Sequence, residues 1–144
     1  MVQIPNSFSA GGIVKSAEVN ENFDTVANAI LPTFVFTIIG TLVTGTSLTP
    51  ALIVNNNLTI DKAYAYVKTA PTGQAILVDI LKNGVSIWNT TPANRLTITA
   101  GTQSGTQVSF DTTSLSESDI LTIDVDQIGS TVAGQDITVE LKTV

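Results

Sequence analysis

The proline at position 32 divides the chain into two stretches of different periodicity. Upstream of it, four apolar residues recur at spacings of four, three and four, as on one face of a helix: Val19, Phe23, Val26 and Ile30. Ser16 is a suitable N-cap for such a helix, and the Pro32 ring cannot continue it. The pattern predicts one short amphipathic helix over about residues 17 to 31, preceded by an extended arm rich in Ser and Gly.

Downstream of Pro32 the apolar period becomes two, and β-branched residues dominate. The alternation predicts nine strands: 33–39, 51–54, 58–69, 75–82, 85–89, 95–99, 106–110, 120–128 and 137–143. Lys82-Asn83-Gly84-Val85 is the strongest hairpin signal, because a type I′ turn needs positive φ at both central residues. Strands at this spacing without intervening helices favour an antiparallel sheet over a parallel one. We therefore predict an all-β antiparallel sandwich, jelly-roll-like, over residues 33–144, and an arm-and-helix segment over residues 1–32.

The composition of the chain argues against several classes of function. The chain has no His and no Cys, which removes Ser-His-Asp and Cys-His nucleophiles, thiolate chemistry and His or Cys metal sites. A net charge of −6 disfavours binding to nucleic acid. The longest apolar stretch, 34–43, is too short to cross a bilayer, and the first residues lack the features of a secretory signal. We expect a protein made in the cytoplasm that is not an enzyme and has no cofactor, nucleic-acid or membrane partner.

Acidic residues within the predicted strands are the first candidates for chemistry. Asp124 and Asp126 share one strand face, so they could hold a hard cation such as Ca²⁺ or act as an acid and base pair. No loop with calcium-site spacing accompanies them, so the solvated face of an alternating strand is the preferred interpretation. Asp61 and Asp79 are expected at edge or solvent positions.

Aromatic residues suggest a second kind of site. Trp88, together with Tyr64 and Tyr66, could form a platform for stacking a sugar, since amphipathic rings suit such contacts. The alternative, which we favour, is that the single Trp88 lies in the core or at a subunit interface. Strict alternation along the strand also places both tyrosines on the same face as Leu58 and Ile60, which predicts that they pack with these residues.

The narrow apolar stripe along one face of the predicted helix is the most informative feature of the sequence. It is as narrow as a coiled-coil seam, and a helix of about 15 residues is marginal alone in water. Either the stripe packs on the sandwich of its own chain, or it packs on other copies or another protein. With Phe8 of the arm, Val19, Phe23, Val26 and Ile30 are our candidate anchoring and oligomerisation residues, and Trp88 is the candidate glycan contact.

Two segments carry a resemblance to a known group of proteins. The first runs from Ile4 to Phe23 and has as its core Phe8, Gly12, Ala17-Glu18-Val19-Asn20 and Asn22-Phe23. It resembles the N-terminal segment of tailed-bacteriophage fibre and other minor virion proteins. The second includes Lys82-Asn83-Gly84-Val85-Ser86-Ile87 and Asp126-Gln127-Ile128-Gly129-Ser130, and resembles β-sandwich modules of phage structural proteins.

The resemblance implies a non-enzymatic virion protein of the capsid-decoration, head-fibre or short tail-fibre type. It implies a homo-oligomer, with a trimer favoured, that attaches to the major capsid or another virion protein through its N-terminal segment and displays the sandwich outward. The alternative function is a host-receptor or carbohydrate-binding module of a tail fibre. The family has no catalytic residues to carry over.

Overall fold

The computed structural model describes residues 3–7, 12–13, 15–29 and 31–144. The chain divides into two compact units, one of residues 1–32 with Val144 and one of Thr33–Thr143. In the first unit, helix α1 spans Ser16–Ala29. It begins where the Lys15 carbonyl accepts the Val19 N–H (3.3 Å), one residue before the predicted start.

The second unit consists of ten strands. They are β1 (Thr33–Thr41), β2 (Leu52–Ile53), β3 (Leu58–Thr69), β4 (Ile76–Lys82), β5 (Val85–Ser86), β6 (Leu96–Ile98), β7 (Ser104–Gln107), β8 (Ser114–Leu115), β9 (Ile120–Gln127) and β10 (Gln135–Thr143). The prediction missed β8, and it placed β7 two residues too late. Both strands are short and rich in Ser, Gly, Thr and Gln, which makes their alternation weak.

The strands form two antiparallel sheets. The first has the order β1-β10-β3-β7, with β8 also pairing with β3, and the second has the order β2-β9-β4-β5, with β6 also pairing with β4. Consecutive β3 and β4 lie in opposite sheets, as do β9 and β10, while β3 pairs with β10 and β4 with β9. The predicted all-β sandwich with one short helix is therefore confirmed.

The core lies between the inner faces of the two sheets. Its largest fully buried side chains are Trp88, Leu42, Ile76, Ile80, Ile87, Leu96, Ile98, Leu115, Leu121, Ile123, Ile137 and Leu141. At one side the backbones of the sheets approach closely, because a Cβ atom at Gly105 of β7 would overlap the Thr97 carbonyl oxygen of β6. Glycine is therefore the residue that this approach requires.

The predicted Asn-Gly hairpin forms between β4 and β5. Asn83 and Gly84 have φ of 51° and 81°, as a type I′ turn requires. The Asn83 side chain also accepts the Ile120 N–H (2.8 Å) and donates to Asp119 Oδ1 (2.7 Å). The turn therefore joins the start of β9 to the end of β4.

A β-bulge reverses the alternation of β3. Ile60 is opposite Thr143 and Lys62 is opposite Lys142, so Asp61 has no partner on β10. After this extra residue, Ala63, Ala65 and Val67 point into the core and are fully buried. The expectation that Tyr64 and Tyr66 pack on the same face as Leu58 and Ile60 is wrong, because one unpaired residue moves every later side chain to the other face.

Asp119 is the acceptor that holds the turn between β8 and β9. Its carboxylate accepts the Ser116 N–H (2.7 Å) and the Asn83 amide, and the Lys82 ammonium lies 3.1 Å away. These contacts, the Ser116 N–H first, hold the pKa of Asp119 below its ordinary value. Because the folded pKa is the lower one, the stabilisation is present above the ordinary carboxyl pKa and is lost as the pH falls through the folded pKa.

We expect Asp119→Asn to reduce the free energy of unfolding at pH 7 by about 1 to 2 kcal/mol, since the amide keeps only one of the two accepting oxygens and carries no charge, and the Lys82 pair that is lost is partly screened by solvent. When urea unfolding is measured between pH 7 and pH 3, the free energy of unfolding of this variant should fall less steeply with decreasing pH than that of the natural protein. Glu117→Gln is the matched control, because it removes one charge from the same turn but none of the Asp119 contacts. If the free energy of unfolding fell equally with decreasing pH in Asp119→Asn and in the natural protein, the stabilising role of the Asp119 carboxylate would be contradicted.

Candidate functional site

Two asparagines clamp the arm onto helix α1. The Asn6 N–H donates to Asn22 Oδ1 (3.0 Å), and Asn22 Nδ2 donates back to the Asn6 carbonyl (3.0 Å). The Asn6 side chain adds bonds to Glu21 Oε2 (2.6 Å) and to the Glu18 carbonyl (3.4 Å). The Asn22 amide thus satisfies both backbone groups of one arm residue, as a neighbouring strand would. The clamp fixes where residues 3–7 lie on the helix.

The clamped arm and the helix enclose an apolar groove. It has a volume of about 250 Å³ and is lined by Ile4, Val19, Asn22, Phe23 and Val26, which we call the arm–helix groove. Phe23 is 69% exposed and Ile4 is 51% exposed. Large apolar side chains that are this exposed gain only part of their possible burial energy, so a partner that covers them would gain the rest.

The arm–helix groove contains three of the five predicted anchoring residues, Val19, Phe23 and Val26. The other two, Phe8 and Ile30, lie outside the described residues. Helical spacing was enough to identify the stripe. The contribution of Ile4 and Asn22 could not be read in this way, because it depends on the arm folding back along the helix.

Trp88 lies in the sandwich core. It is fully buried, its indole Nε1 donates to the Ser109 carbonyl (2.7 Å), and its ring stacks on Phe110 with centroids 5.5 Å apart. A ring without solvent exposure offers no face to a sugar. The core interpretation of Trp88 fits this position, and the expectation of a glycan contact at Trp88 is corrected.

The acidic residues of β4 and β9 surround the chain's single arginine. Arg95 Nε lies 3.1 Å from Asp79 Oδ2, and Arg95 Nη1 lies 3.2 Å from Asp126 Oδ2. Asp79 also accepts a hydrogen bond from the Ser86 hydroxyl (2.6 Å). Burial raises the pKa of Asp79, and the Ser86 hydrogen bond and Arg95 offset only part of this effect. The expectation that Asp79 occupies an edge or solvent position is wrong: its residue exposure is 6%.

Asp124 has a structural partner of its own. Its Oδ1 accepts the Ser47 N–H (2.7 Å), which anchors the loop before β2, and the residue is buried. The interpretation of Asp124 as part of a solvated strand face is therefore wrong, whereas Asp126 is exposed. Within the described ranges, no group of three or more acidic residues is arranged to hold a metal ion.

Tyr64 and Tyr66 lie on the outer face of the first sheet because of the β3 bulge. Tyr66 is 45% exposed, and Lys62 Nζ lies 5.9 Å from the centroid of the Tyr64 ring. Sequence reasoning named these tyrosines together with Trp88 as a sugar platform. The structure separates them, with Trp88 inside the sandwich and the tyrosines on its surface.

In the part of the chain that the structure describes, no helix is long and apolar enough to cross a membrane. Comparison of the chain with protein-family models, with curated proteins and with solved structures finds no match.

Proposed function

We propose that the protein is a non-enzymatic virion structural protein of a tailed bacteriophage, of the capsid-decoration or head-fibre type. In this proposal residues 1–32 attach the protein to the particle, and the sandwich is displayed outward. The observation that carries the proposal is the arm–helix groove, which leaves Phe23 exposed in a unit separate from the sandwich. The sequence resemblance of residues 4–23 supports the same assignment.

The two units differ in how much apolar surface each buries by itself. The sandwich has a closed apolar core of its own, whereas the N-terminal unit is a helix of 14 residues and an arm joined through Asn6 and Asn22. A helix of this length gains most of its stability from burying its apolar face. A partner surface on Phe23 and Val26 would supply that burial.

Charge restricts the partner that would fit. The segment 1–32 has one cation, Lys15, against Glu18, Glu21 and Asp24. A partner should therefore present an apolar protrusion with neutral or basic residues around it, as we propose for the capsid or another virion protein. We propose a homotrimer as the attached form, in which packing between copies of the helix covers part of this apolar surface and the capsid or other virion protein covers the rest.

We expect Phe23→Asp to abolish incorporation of the protein into virions, because a carboxylate in the covered groove would have to be desolvated without a partner. The measurement is quantitative mass spectrometry of virions purified from cells that produce the variant in place of the natural chain. Light scattering on the free protein should show a fall to the protomer mass of 15.1 kDa.

The matched control is Val108→Asp, which places the same charge at a valine of the sandwich that is 66% exposed. This variant should be incorporated normally. Asn22→Ala, which removes the clamp, should reduce incorporation while leaving the unfolding of the sandwich unchanged. Absence of the natural protein from purified virions, or undiminished incorporation of Phe23→Asp, would contradict the proposal.

A further inference from the structure

The two tyrosines of the chain stand side by side on an open sheet face. Tyr64 and Tyr66 are two residues apart on β3, so their side chains point the same way about 6.7 Å apart along the strand. Both lie on the third of four paired strands, with β10 on one side and β7 on the other. The rings therefore lie on an inner strand of this sheet rather than on an edge strand.

Polar side chains flank both rings along two rows that cross the sheet. The first row consists of Val35, Glu140, Tyr64 and Thr106, and the second consists of Thr37, Thr138, Tyr66 and Ser104. Each tyrosine thus lies between a polar residue of β10 and a hydroxyl of β7. Hydroxyl groups donate and accept hydrogen bonds, and the Glu140 carboxylate accepts them.

Two further residues contact the rings from the side. Lys62 makes the cation–π contact with Tyr64, and Gln103 Nε2 lies 3.4 Å from the Tyr66 hydroxyl. These contacts reduce the rotamer freedom that the rings would lose on binding a ligand. Ligand binding to partly restricted rings costs less side-chain entropy than binding to freely rotating ones.

The charges on this face balance. Three lysines are matched by three acidic residues: Lys62, Lys68 and Lys142 against Asp61, Asp136 and Glu140. Only Lys68 and Asp136 form an ion pair here, at 3.8 Å, among the described residues. The face therefore lacks the single-sign field that would attract a polyanion, and its polar groups suit hydrogen bonding to a neutral polar ligand.

We propose that the outer face of the first sheet, centred on Tyr64 and Tyr66, binds a neutral polysaccharide. A sugar ring has an apolar face, which suits an aromatic surface, and a rim of hydroxyls, which suits the surrounding Thr, Ser, Glu and Lys side chains. Two rings spaced along one strand would contact neighbouring sugar units of an extended chain. This site is distinct from the arm–helix groove and does not depend on the attachment proposed above.

The test uses the full chain on a printed array of purified neutral and acidic bacterial and plant polysaccharides. The neutral polysaccharide that gives the strongest signal is then cast into native gels, in which a bound protein is retarded. We expect retardation that is lost in Tyr66→Thr and weakened in Tyr64→Thr, while Tyr66→Phe retains it because the ring remains. Threonine keeps the β-propensity of the strand, so thermal unfolding should confirm that both variants fold.

Ile53→Thr is the matched control, because Ile53 is an exposed apolar residue (69%) on β2 of the other sheet. It should be retarded like the natural protein, and high salt should leave the retardation unchanged. Three results would overturn the proposal: no binding to any neutral polysaccharide, undiminished binding in the double variant Tyr64→Thr/Tyr66→Thr, or stronger binding to the acidic polysaccharides that salt removes.

Discussion

Trp88→Ala should reduce the free energy of unfolding by about 3 to 5 kcal/mol, the usual cost of truncating a large buried aromatic side chain. Trp88 is fully buried, so its removal leaves a cavity between sheets whose backbones are fixed by pairing on both sides. The variant also loses the stacking on Phe110 and leaves the Ser109 carbonyl without the indole donor. Urea or guanidinium unfolding followed by circular dichroism measures the change.

Two variants check the cause of this loss. Trp88→Phe keeps a ring on Phe110 but removes the Nε1 donor, so it should cost clearly less than Trp88→Ala. Ile53→Ala removes an exposed side chain and should change stability by no more than about 0.5 kcal/mol. A loss below about 1 kcal/mol for Trp88→Ala would contradict the central position of this ring in the core.

Arg95→Leu should have the second largest effect, about 2 to 4 kcal/mol, because it leaves Asp79 buried without its cation. This expected loss of stability is smaller than that for a fully buried ion pair, because the Arg95 side chain is 30% exposed. The double variant Asp79→Asn/Arg95→Leu should recover most of the loss. The asparagine carries no charge and can still accept the hydrogen bond from Ser86.

The pH dependence of Arg95→Leu provides a separate check. Burial raises the folded pKa of Asp79 above its unfolded value, so its contribution to stability is greatest at low pH and is lost as the pH rises through the folded pKa. Without Arg95 this pKa rises further. The deficit of the variant relative to the natural protein should therefore shrink as the pH is lowered from 7 towards the ordinary carboxyl range. A deficit that is constant with pH would mean that packing, rather than charge, is lost.

Local patterns predicted most of the fold. The helix follows from the spacing of Val19, Phe23 and Val26 and from the stop at Pro32, and the β4–β5 hairpin follows from Asn83-Gly84. Each of these signals lies within a few adjacent residues, where steric and hydrogen-bonding preferences act directly. The two-residue β8 lacks such a signal, because it forms by pairing with Leu58 and Thr59 of a distant strand.

Partners that are distant in the sequence account for the remaining differences. Asp79 is buried because Arg95 and Ser86 reach it from neighbouring segments, and Asp124 because the loop at Ser47 folds over it. Similarly, the Asn6–Asn22 clamp joins residues that are individually typical of turns. Alternation assigns a strand residue to a face, but it does not say which other segment covers that face.

The bulge at Asp61 also makes this point of β3 tolerant of a change in length. Deleting Asp61 would leave one residue between Ile60 and Ala63, and regular pairing with β10 would then keep Ala63, Ala65 and Val67 inside and both tyrosines outside. A deletion or insertion between Ala63 and Val67 would instead move the later side chains to the opposite face. Natural variants of this protein should therefore vary in residue and in length at position 61 but keep the number of residues between Ala63 and Val67.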